Sequence, residues 1–229
     1  MIRGLSPLIE QVEIVERGGK SIVIKRYGSI PGILKWLIVT VPPISMYYPL
    51  ETSPTTRMMR EETFLLKPPR NITVPKILRI DYLNLIMERE HVEGRHPNLQ
   101  CTDDLFRIGE ALGLIHAQDY CLGDTRIENF LLTPQGNVCI VDAEQSLTDC
   151  NKQVHKMWDL LLLLVFLLLE DPVQGRVSYR ERVRTILESY TKHWSLSWDV
   201  MKNIKPLLIL LPFPYLTILK DEVVVFQKK

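Results

Sequence analysis

The feature that most constrains this fold is a run of ten consecutive apolar residues from Leu160 to Leu169. As a helix the run would rise only about 15 Å, whereas the hydrocarbon core of a bilayer is roughly 30 Å thick. Glu170-Asp171-Pro172 follows at once and would close such a helix. A helix that is apolar on every side must be buried in protein. The run therefore predicts a buried central helix and no membrane span, and we interpret the apolar segment Pro206–Leu219 as core too.

Charge and composition narrow the class of protein. The 28 Lys+Arg and 27 Asp+Glu residues give a net charge of +1, so the basic excess of a dedicated nucleic-acid binder is missing. The hydrophobic fraction of 46% and the charged fraction of 24% are ordinary for a globular chain. The N-terminal residues include no apolar segment typical of a signal peptide. We therefore expect a globular, cytoplasmic protein.

The four cysteines form no CxxC pair, so the common zinc-site spacings are absent. Cys139 lies within an apolar run, where a buried, reduced thiol is the simplest interpretation. This favours a reducing compartment.

Hydrophobic patterning divides the chain into a strand-rich part and a helix-rich part. A boundary is predicted near residues 88 to 98, because Asp103–Gln118 shows helical periodicity. The Gly18-Gly19 pair predicts a hairpin. The predicted strands are Gln11–Val15, Ser21–Arg26, the apolar stretch Ile33–Val41, Val74–Ile80 and Leu83–Glu88. The other predicted helices are Thr55–Leu66, capped by Ser53 or Thr55, and most of Lys152–Tyr190.

A second hairpin is predicted where the apolar segments around Phe130 and Val141 flank a Pro/Gly turn. Folding it about Gln135-Gly136 pairs Phe130 with Val141 and Asn129 with Asp142. Facing side chains lie roughly 5 Å apart, so an amide oxygen and a carboxylate could share one Mg²⁺. Asp124, five residues before Asn129, could accept a proton from an attacking hydroxyl. The alternative is that these are ordinary turn and strand-end residues.

This constellation resembles the protein-kinase superfamily, in which an Asp is followed five residues later by Asn and then by a metal-binding Asp. Asp124, Asn129 and Asp142 fit that signature, and His116 lies eight residues before Asp124 as in small atypical kinases. The most similar families are the KEOPS-complex kinases and the RIO kinases, with lipopolysaccharide-type sugar kinases more distant. The resemblance runs from about residue 11 to residue 170 and is specific in the central 30 residues.

The resemblance implies an α+β, two-lobed kinase-like fold in one domain, 1–229. The N-lobe would span about 1–90 and the C-lobe about 91–229. Asp159, before the apolar run, would anchor the catalytic loop, although it could instead be a helix N-cap.

The resemblance also assigns ATP contacts. Lys25 at the end of Ser21–Lys25 would hold the ATP phosphates, unless it is an edge-strand residue. Glu62 would pair with Lys25, with Glu61 as the alternative and a solvated helix face as the third interpretation. Glu88 lies on the expected path to the hinge, where adenine would contact the backbone near Met87 to Arg89.

Several positions depart from the family pattern. No G-x-G-x-x-G loop is present, and the nearest candidate is Gly4 to Ser6. The usual His before Gly-Asp is Leu122, and Asp142-Ala143-Glu144 lacks the glycine of D-F-G. The basic tail of KEOPS kinases is reduced to two lysines. Arg126, by contrast, occupies a position where Ser/Thr kinases have Lys, and could offset charge on the transferred phosphoryl group.

These residues predict an ATP- and Mg²⁺-dependent phosphotransferase, of the atypical serine/threonine protein-kinase type. Asp124 and Arg126 would be catalytic, and Asn129 and Asp142 would bind the metal. Its partners would be ATP and a protein substrate or partner, with a KEOPS-like complex as one option. Two alternatives remain: a small-molecule or sugar kinase of the lipopolysaccharide type, and a pseudokinase that acts as a binding module.

Overall fold

The computed structural model of the protein describes residues 11–28, 46–173 and 175–227. The expected strand at Ile33–Val41 and the expected phosphate cover at Gly4–Ser6 lie outside these residues. The first half contains β1 (Val12–Arg17), β2 (Lys20–Arg26), α1 (Pro54–Leu66), β3 (Ile77–Asp81), β4 (Ile86–Glu90) and α2 (Thr102–Ala117). The second half contains β5 (Phe130–Leu132), β6 (Val138–Ile140), α3 (Gln153–Leu169), α4 (Arg176–Tyr190), α5 (Trp198–Met201), α6 (Lys205–Leu208) and α7 (Phe213–Gln227).

The first four strands form an antiparallel sheet in the order β1-β2-β4-β3. Gly18 and Gly19 both have positive φ angles, which the tight turn between β1 and β2 requires. Strand β2 has a neighbour on each side, and Lys25 is paired with Val12 of β1 and Met87 of β4. Lys25 is therefore on an inner strand, which excludes the edge-strand interpretation.

Helix α1 packs a mixed apolar and charged face towards the interior. Ser53 caps it by accepting a hydrogen bond from the Thr56 amide, as one of the two sequence alternatives predicted. The helix ends before Lys67 and the two prolines that follow. Its buried residues are Arg57, Met58, Glu61, Phe64 and Leu65, a helical spacing that carries two charged side chains into the interior.

Helix α3 is the buried helix that the apolar run predicted. Its side chains from Leu160 to Val165 are buried, as are Leu167 and Leu168, and only Leu169 at its end is 44% exposed. Helix α2 packs against α4 so closely that a Cβ atom on Gly109 would lie 2.2 Å from Ser189 Oγ. Across the described residues, none of the helices combines the length and apolarity needed to span a bilayer.

The second hairpin forms, but its register differs from the predicted one. Phe130 pairs with Ile140 and not with Val141, because the loop contains three residues, an odd number, whereas folding about Gln135-Gly136 requires an even number. The Thr133 amide donates to the Asn137 carbonyl, and the Gly136 amide donates back to Thr133. Gly136 has φ 82°, the left-handed conformation that ends a three-residue hairpin loop. Asn129 is thus joined to Val141 through their backbones, at 3.0 Å, and does not face Asp142.

The architecture is α+β, with the antiparallel sheet in the N-terminal part and helices in the C-terminal part. This confirms the predicted fold class. The lobe limits of about 1–90 and 91–229 stay a prediction.

Candidate functional site

A cavity of about 410 Å³ lies between the four-stranded sheet and the β5–β6 hairpin. Lys25 of β2 reaches it from the sheet, and Asn129 and Asp142 reach it from the two ends of the hairpin. These three predicted site residues are therefore brought together in spite of the changed register.

The Lys25 side chain is buried and held between carboxylates. Its Nζ atom lies 2.6 Å from Glu61 Oε2 and 2.8 Å from Asp142 Oδ1, with Glu144 Oε2 at 3.5 Å. Burial by itself would lower the pKa of Lys25, but Asp142, Glu144 and Glu61 together raise it above its ordinary value. Lys25 is therefore a fixed positive charge in the cavity wall.

The partner of Lys25 on α1 is Glu61, so the preferred prediction of Glu62 is wrong and the alternative is confirmed. Glu61 also accepts hydrogen bonds from the Tyr27 hydroxyl, at 2.7 Å, and from the Arg89 guanidinium. Glu62 accepts an exposed hydrogen bond from the Tyr82 hydroxyl instead. Consecutive helix residues point about 100° apart, so only one of the two can face the cleft.

A second buried ion pair joins α1 to the segment after Asp142. Arg57 Nη1 donates to Glu144 Oε2 at 2.9 Å, and Arg57 Nη2 donates to the Tyr27 carbonyl at 2.8 Å. Burial raises the pKa of Glu144, while Lys25 and Arg57 act in the opposite direction. Arg57 was not among the site residues predicted from the sequence. Its position four residues before Glu61 was the available signal, because residues four apart share a helix face.

Among the described residues, three carboxylates of this region lie close to three cations. Carboxylate oxygens of Glu61, Asp142 and Glu144 lie within 4.8 Å of one another. The opposing cations are Lys25, Arg57 and Arg89. Three negative and three positive groups explain how the carboxylates tolerate burial, since a buried charge requires a partner. This cluster is therefore an ion-pair network in its own right.

The loop that carries Asp124 is anchored by Asp159 of α3, as predicted. The buried Asp159 carboxylate accepts hydrogen bonds from the backbone amides of Leu122, at 2.6 Å, and Gly123, at 2.8 Å. Asp159 lies inside α3, so it is not an N-cap. Gly123 has φ 75°, and a Cβ there would lie 2.6 Å from the Tyr48 ring, so glycine is required.

His116 helps to hold the Asp159 side chain in place. Its ring nitrogens lie 2.7 Å from the Tyr190 hydroxyl and 3.3 Å from Asp159 Oδ2. Burial lowers the pKa of His116, although Asp159 opposes this shift. The side chain thus orients Asp159 and does not reach the cavity.

Asp124 is buried and bound by the residue predicted to act with it. Arg126 forms two hydrogen bonds to the Asp124 carboxylate, at 2.8 and 2.9 Å, and a further ion pair with Glu128. Burial would lower the pKa of Arg126, but Asp124 and Glu128 raise it. Asn129 Nδ2 donates to the Asp124 carbonyl at 2.8 Å and so holds the loop in shape.

The predicted cofactor contact at Glu88 is not supported by its position. Glu88 forms an ion pair with Arg17 at 2.9 Å, and it is not among the described residues that line the cavity. The expected adenine contact near Met87 to Arg89 stays a prediction: this stretch of β4 is paired with β2 and β3, and Arg89 at its end lines the cavity. From Arg89 onward the chain follows the cavity wall, which residues 89–92 and Gly94 line.

The donor set suits a hard divalent cation. Asn129 offers an amide oxygen and Asp142 a carboxylate, and both line the same cavity. Mg²⁺ is typically bound by one or two such protein oxygens, with phosphates and water completing its shell. That these two residues hold Mg²⁺ stays a prediction, with which their donor atoms are compatible.

The cysteines divide into two kinds. Cys139 is a buried free thiol, as predicted, and burial raises its pKa to about 12. Cys121 and Cys150 form a disulfide that the sequence analysis did not anticipate. Such bonds are more typical of oxidising compartments, so the cysteines give no support to the expected reducing one.

No protein-family model matches the chain, and no curated protein matches it. Among solved structures, it is similar to the bifunctional kinase-methyltransferase WbdD, with a TM-score of 0.51, 14% identity and 96% of this chain covered. A co-crystal structure of WbdD and a kinase inhibitor gives a TM-score of 0.50 at 12% identity. This chain spans about half of those chains, 49% and 48%. The similarity shows a kinase-like fold; the expected similarity to KEOPS and RIO kinases stays a prediction.

Proposed function

We propose that the protein is an ATP- and Mg²⁺-dependent phosphotransferase that phosphorylates an alcohol. One observation carries the proposal: the Lys25 ammonium is fixed between Glu61 and Asp142 in the wall of a cavity that Asn129 also lines. The cavity volume of about 410 Å³ falls in the range of small-molecule sites, roughly 300–1,000 Å³.

Each residue has a distinct part in this chemistry. Lys25 binds phosphate oxygens, and Asp142 and Asn129 would hold Mg²⁺, which would supply charge neutralisation at the phosphates when bound. Asp124 accepts the proton of the attacking hydroxyl. The Arg126 guanidinium is hydrogen-bonded to the Asp124 carboxylate in this structure. The acceptor hydroxyl must therefore bind Asp124 beside this guanidinium or displace it. The displaced cation is then placed to offset charge on the transferred phosphoryl group.

The acceptor separates two versions of this function. The resemblance of the central motif favours an atypical serine/threonine protein kinase, with a KEOPS-like complex as one setting. A small-molecule or sugar kinase is favoured by the short segment between Asp142 and α3, which spans only residues 143–152. In protein kinases the corresponding segment carries the activation loop, and ten residues offer little surface on which a peptide could dock.

The test is a thermal-shift titration with ATP alone and with ATP plus Mg²⁺. We expect ATP to stabilise the wild type only when Mg²⁺ is present. Asp142→Ala should lose this stabilisation, because it lacks one of the two proposed metal ligands. Asp124→Ala should bind ATP with Mg²⁺ as the wild type does, yet release no labelled phosphate from ATP. Arg17→Ala, which changes an exposed ion pair outside the cavity, is the control.

Absence of any nucleotide effect on the wild type would refute the proposal and favour the pseudokinase alternative. Equal phosphate release by the wild type and Asp124→Ala would remove Asp124 from the mechanism while leaving nucleotide binding intact.

A further inference from the structure

Part of the predicted core segment Pro206–Leu219 lies on the surface. Ile209 is 84% exposed, Phe213 is 80% exposed and Leu210 is 46% exposed. The first two of these flank Pro212, in and just after the connection between α6 and α7. The buried members of the segment are Leu207, Leu211, Ile218 and Leu219. The prediction that the whole segment is core is therefore wrong, since α6 and the start of α7 bury only one face each.

Phe213 also forms part of a groove between α4 and α7, with a volume of about 480 Å³. Its other lining residues are Arg176, Val177, Arg180, Pro214, Thr217 and Ile218. Val177 is 72% exposed. Together Val177, Ile209, Leu210 and Phe213 form what is called the apolar patch below. An exposed apolar surface rimmed by polar residues is typical of a site that binds a protein or a membrane.

Cations lie beside the apolar patch. Arg176 lines the groove together with Phe213. Lys205 lies one turn before Ile209, whose amide donates to the Lys205 carbonyl at 3.0 Å. Lys220 lies two turns after Phe213 on the same helix, α7. Within the part of the chain that the structure describes, these three cations form no ion pair.

The acidic residues near the groove face arginines. Glu222 is buried and accepts hydrogen bonds from Arg180 and Arg184, at 2.8 and 3.0 Å. Asp221 lies 3.9 Å from Arg180, and Glu181 acts on the charge of Arg184. The charge left over beside the apolar patch is therefore positive, so a complementary partner is negatively charged.

We propose that the apolar patch binds reversibly to an anionic lipid surface. Phe213 and Ile209 enter the boundary between headgroups and acyl chains, and the three cations contact the lipid phosphates. Side chains that are exposed to this extent project from the protein. A protein partner must offer a matching pocket for each of them, whereas fluid lipid accepts them at any spacing. The inference is independent of the proposed function, because no residue of the apolar patch lines the cavity that holds Lys25.

The test is sedimentation of the protein with vesicles of phosphatidylcholine, either alone or mixed with phosphatidylglycerol. We expect the mixed vesicles to bind the protein about tenfold more tightly or better, since each cation beside the patch is attracted to an anionic surface. This binding should weaken as the salt concentration rises, because salt screens exposed charges.

Two double variants separate the apolar contribution from the electrostatic one. Ile209→Ser/Phe213→Ser should weaken binding to the mixed vesicles about tenfold or more, because the side chains that enter the lipid are lost. Lys205→Ala/Lys220→Ala should weaken it about tenfold and reduce its salt dependence. The matched control is Leu83→Ser, at a residue that is 95% exposed on the turn between β3 and β4. This control should bind as the wild type does, and circular dichroism should show every variant folded.

Another occupant of the apolar patch would give a different result. A wild type that binds neither kind of vesicle, or both equally well, would overturn the inference. Retention of mixed-vesicle binding by Ile209→Ser/Phe213→Ser would overturn it too. Light scattering after size exclusion detects a second copy: a dimer that this variant dissociates, without vesicle binding by the wild type, would make a second copy the occupant. The vesicle assay contains no nucleotide, so its failure leaves the proposed function intact.

Discussion

At the scale of single residues, the site depends on which carboxylate faces inward. Glu61 is completely buried among Lys25, Tyr27 and Arg89, whereas its neighbour Glu62 makes one exposed hydrogen bond. The amino-acid sequence shows two adjacent glutamates of equal chemistry. Which of the two faces Lys25 depends on how α1 is rotated about its axis relative to the sheet. The buried residues of α1 determine this rotation.

The two glutamates give a matched pair of variants. Glu61→Gln should lower the free energy of unfolding by about 3 kcal/mol, because it leaves the buried Lys25 and Arg89 charges without their shared partner. It should also weaken ATP binding. Glu62→Gln should change the stability by less than about 0.5 kcal/mol. Urea unfolding of both variants is the measurement, and equal losses in the two would contradict the assignment.

At the scale of secondary-structure elements, the buried helix α3 supports the loop that carries Asp124. Its apolar side chains fill the interior, and Asp159 on the same helix binds the backbone of Leu122 and Gly123. The position of Asp124 therefore depends on the packing of a helix that does not itself reach the cavity.

Leu164→Asp tests the burial of α3. A buried, unpaired carboxylate costs several kcal/mol, comparable with the whole stability of a domain, so this variant should be unfolded. The same change at Leu169, 44% exposed at the end of the helix, should be tolerated. Circular dichroism of both variants compares them, and a normally folded Leu164→Asp protein would contradict the assignment.

The Arg95–Asp104 ion pair joins the chain after β4 to the first turn of α2. Two hydrogen bonds from Arg95 and one from the Asn98 amide lower the pKa of Asp104 from 3.8 to about 2. A carboxyl whose pKa is lower in the folded state stabilises the protein above pH 4, and this contribution is lost as the pH falls towards 2.

Asp104→Asn should therefore remove about 1 to 2 kcal/mol of stability at neutral pH, a value reduced for the exposure of Arg95. The difference between variant and wild type should shrink as the pH falls from 4 to 2. Urea unfolding across this range is the measurement. A difference that does not depend on pH would show that the pair contributes no titratable stability.

The sequence predicted the structure correctly where a pattern extends over many residues. It did not where the structure depends on the position of a single residue. The uninterrupted apolar run Leu160–Leu169 predicted the buried helix α3, whereas the catalytic role of the loop from Asp124 to Asn129 stays a prediction. The hairpin register was wrong by one residue, because Gly136 closes a loop of three residues where an even count was assumed. Arg57 shares a helix face with Glu61, but its pairing with Glu144, 87 residues away, could not be inferred from local patterns.

At the scale of the whole molecule, the Cys121–Cys150 disulfide closes a covalent loop around the site. Asp124, Asn129 and Asp142 all lie inside this loop. Its sequence separation of 29 residues corresponds to a chain-entropy stabilisation of about 3 to 4 kcal/mol. No spacing motif in the sequence pointed to this pair.

Reduction should therefore lower the stability of the protein. We expect a dithiol reductant, or the variant with Ser at both Cys121 and Cys150, to lower the free energy of unfolding by about 3 kcal/mol. Cys101→Ser, a change at a half-buried free thiol, is the control and should respond to reductant as the wild type does. Identical urea midpoints with and without reductant would contradict a stabilising disulfide.

Because of the covalent loop, a break in the backbone within it does not divide the protein into two molecules. A protease that cuts once between residues 121 and 150 leaves two peptides that are still one molecule, with Asp124 and Asp142 tethered to each other whichever bond is broken. The hairpin loop around Gln135 could thus be opened, or extended by inserted residues, without either half of the site being able to diffuse away. The same cut in reduced protein leaves the two halves joined by packing alone.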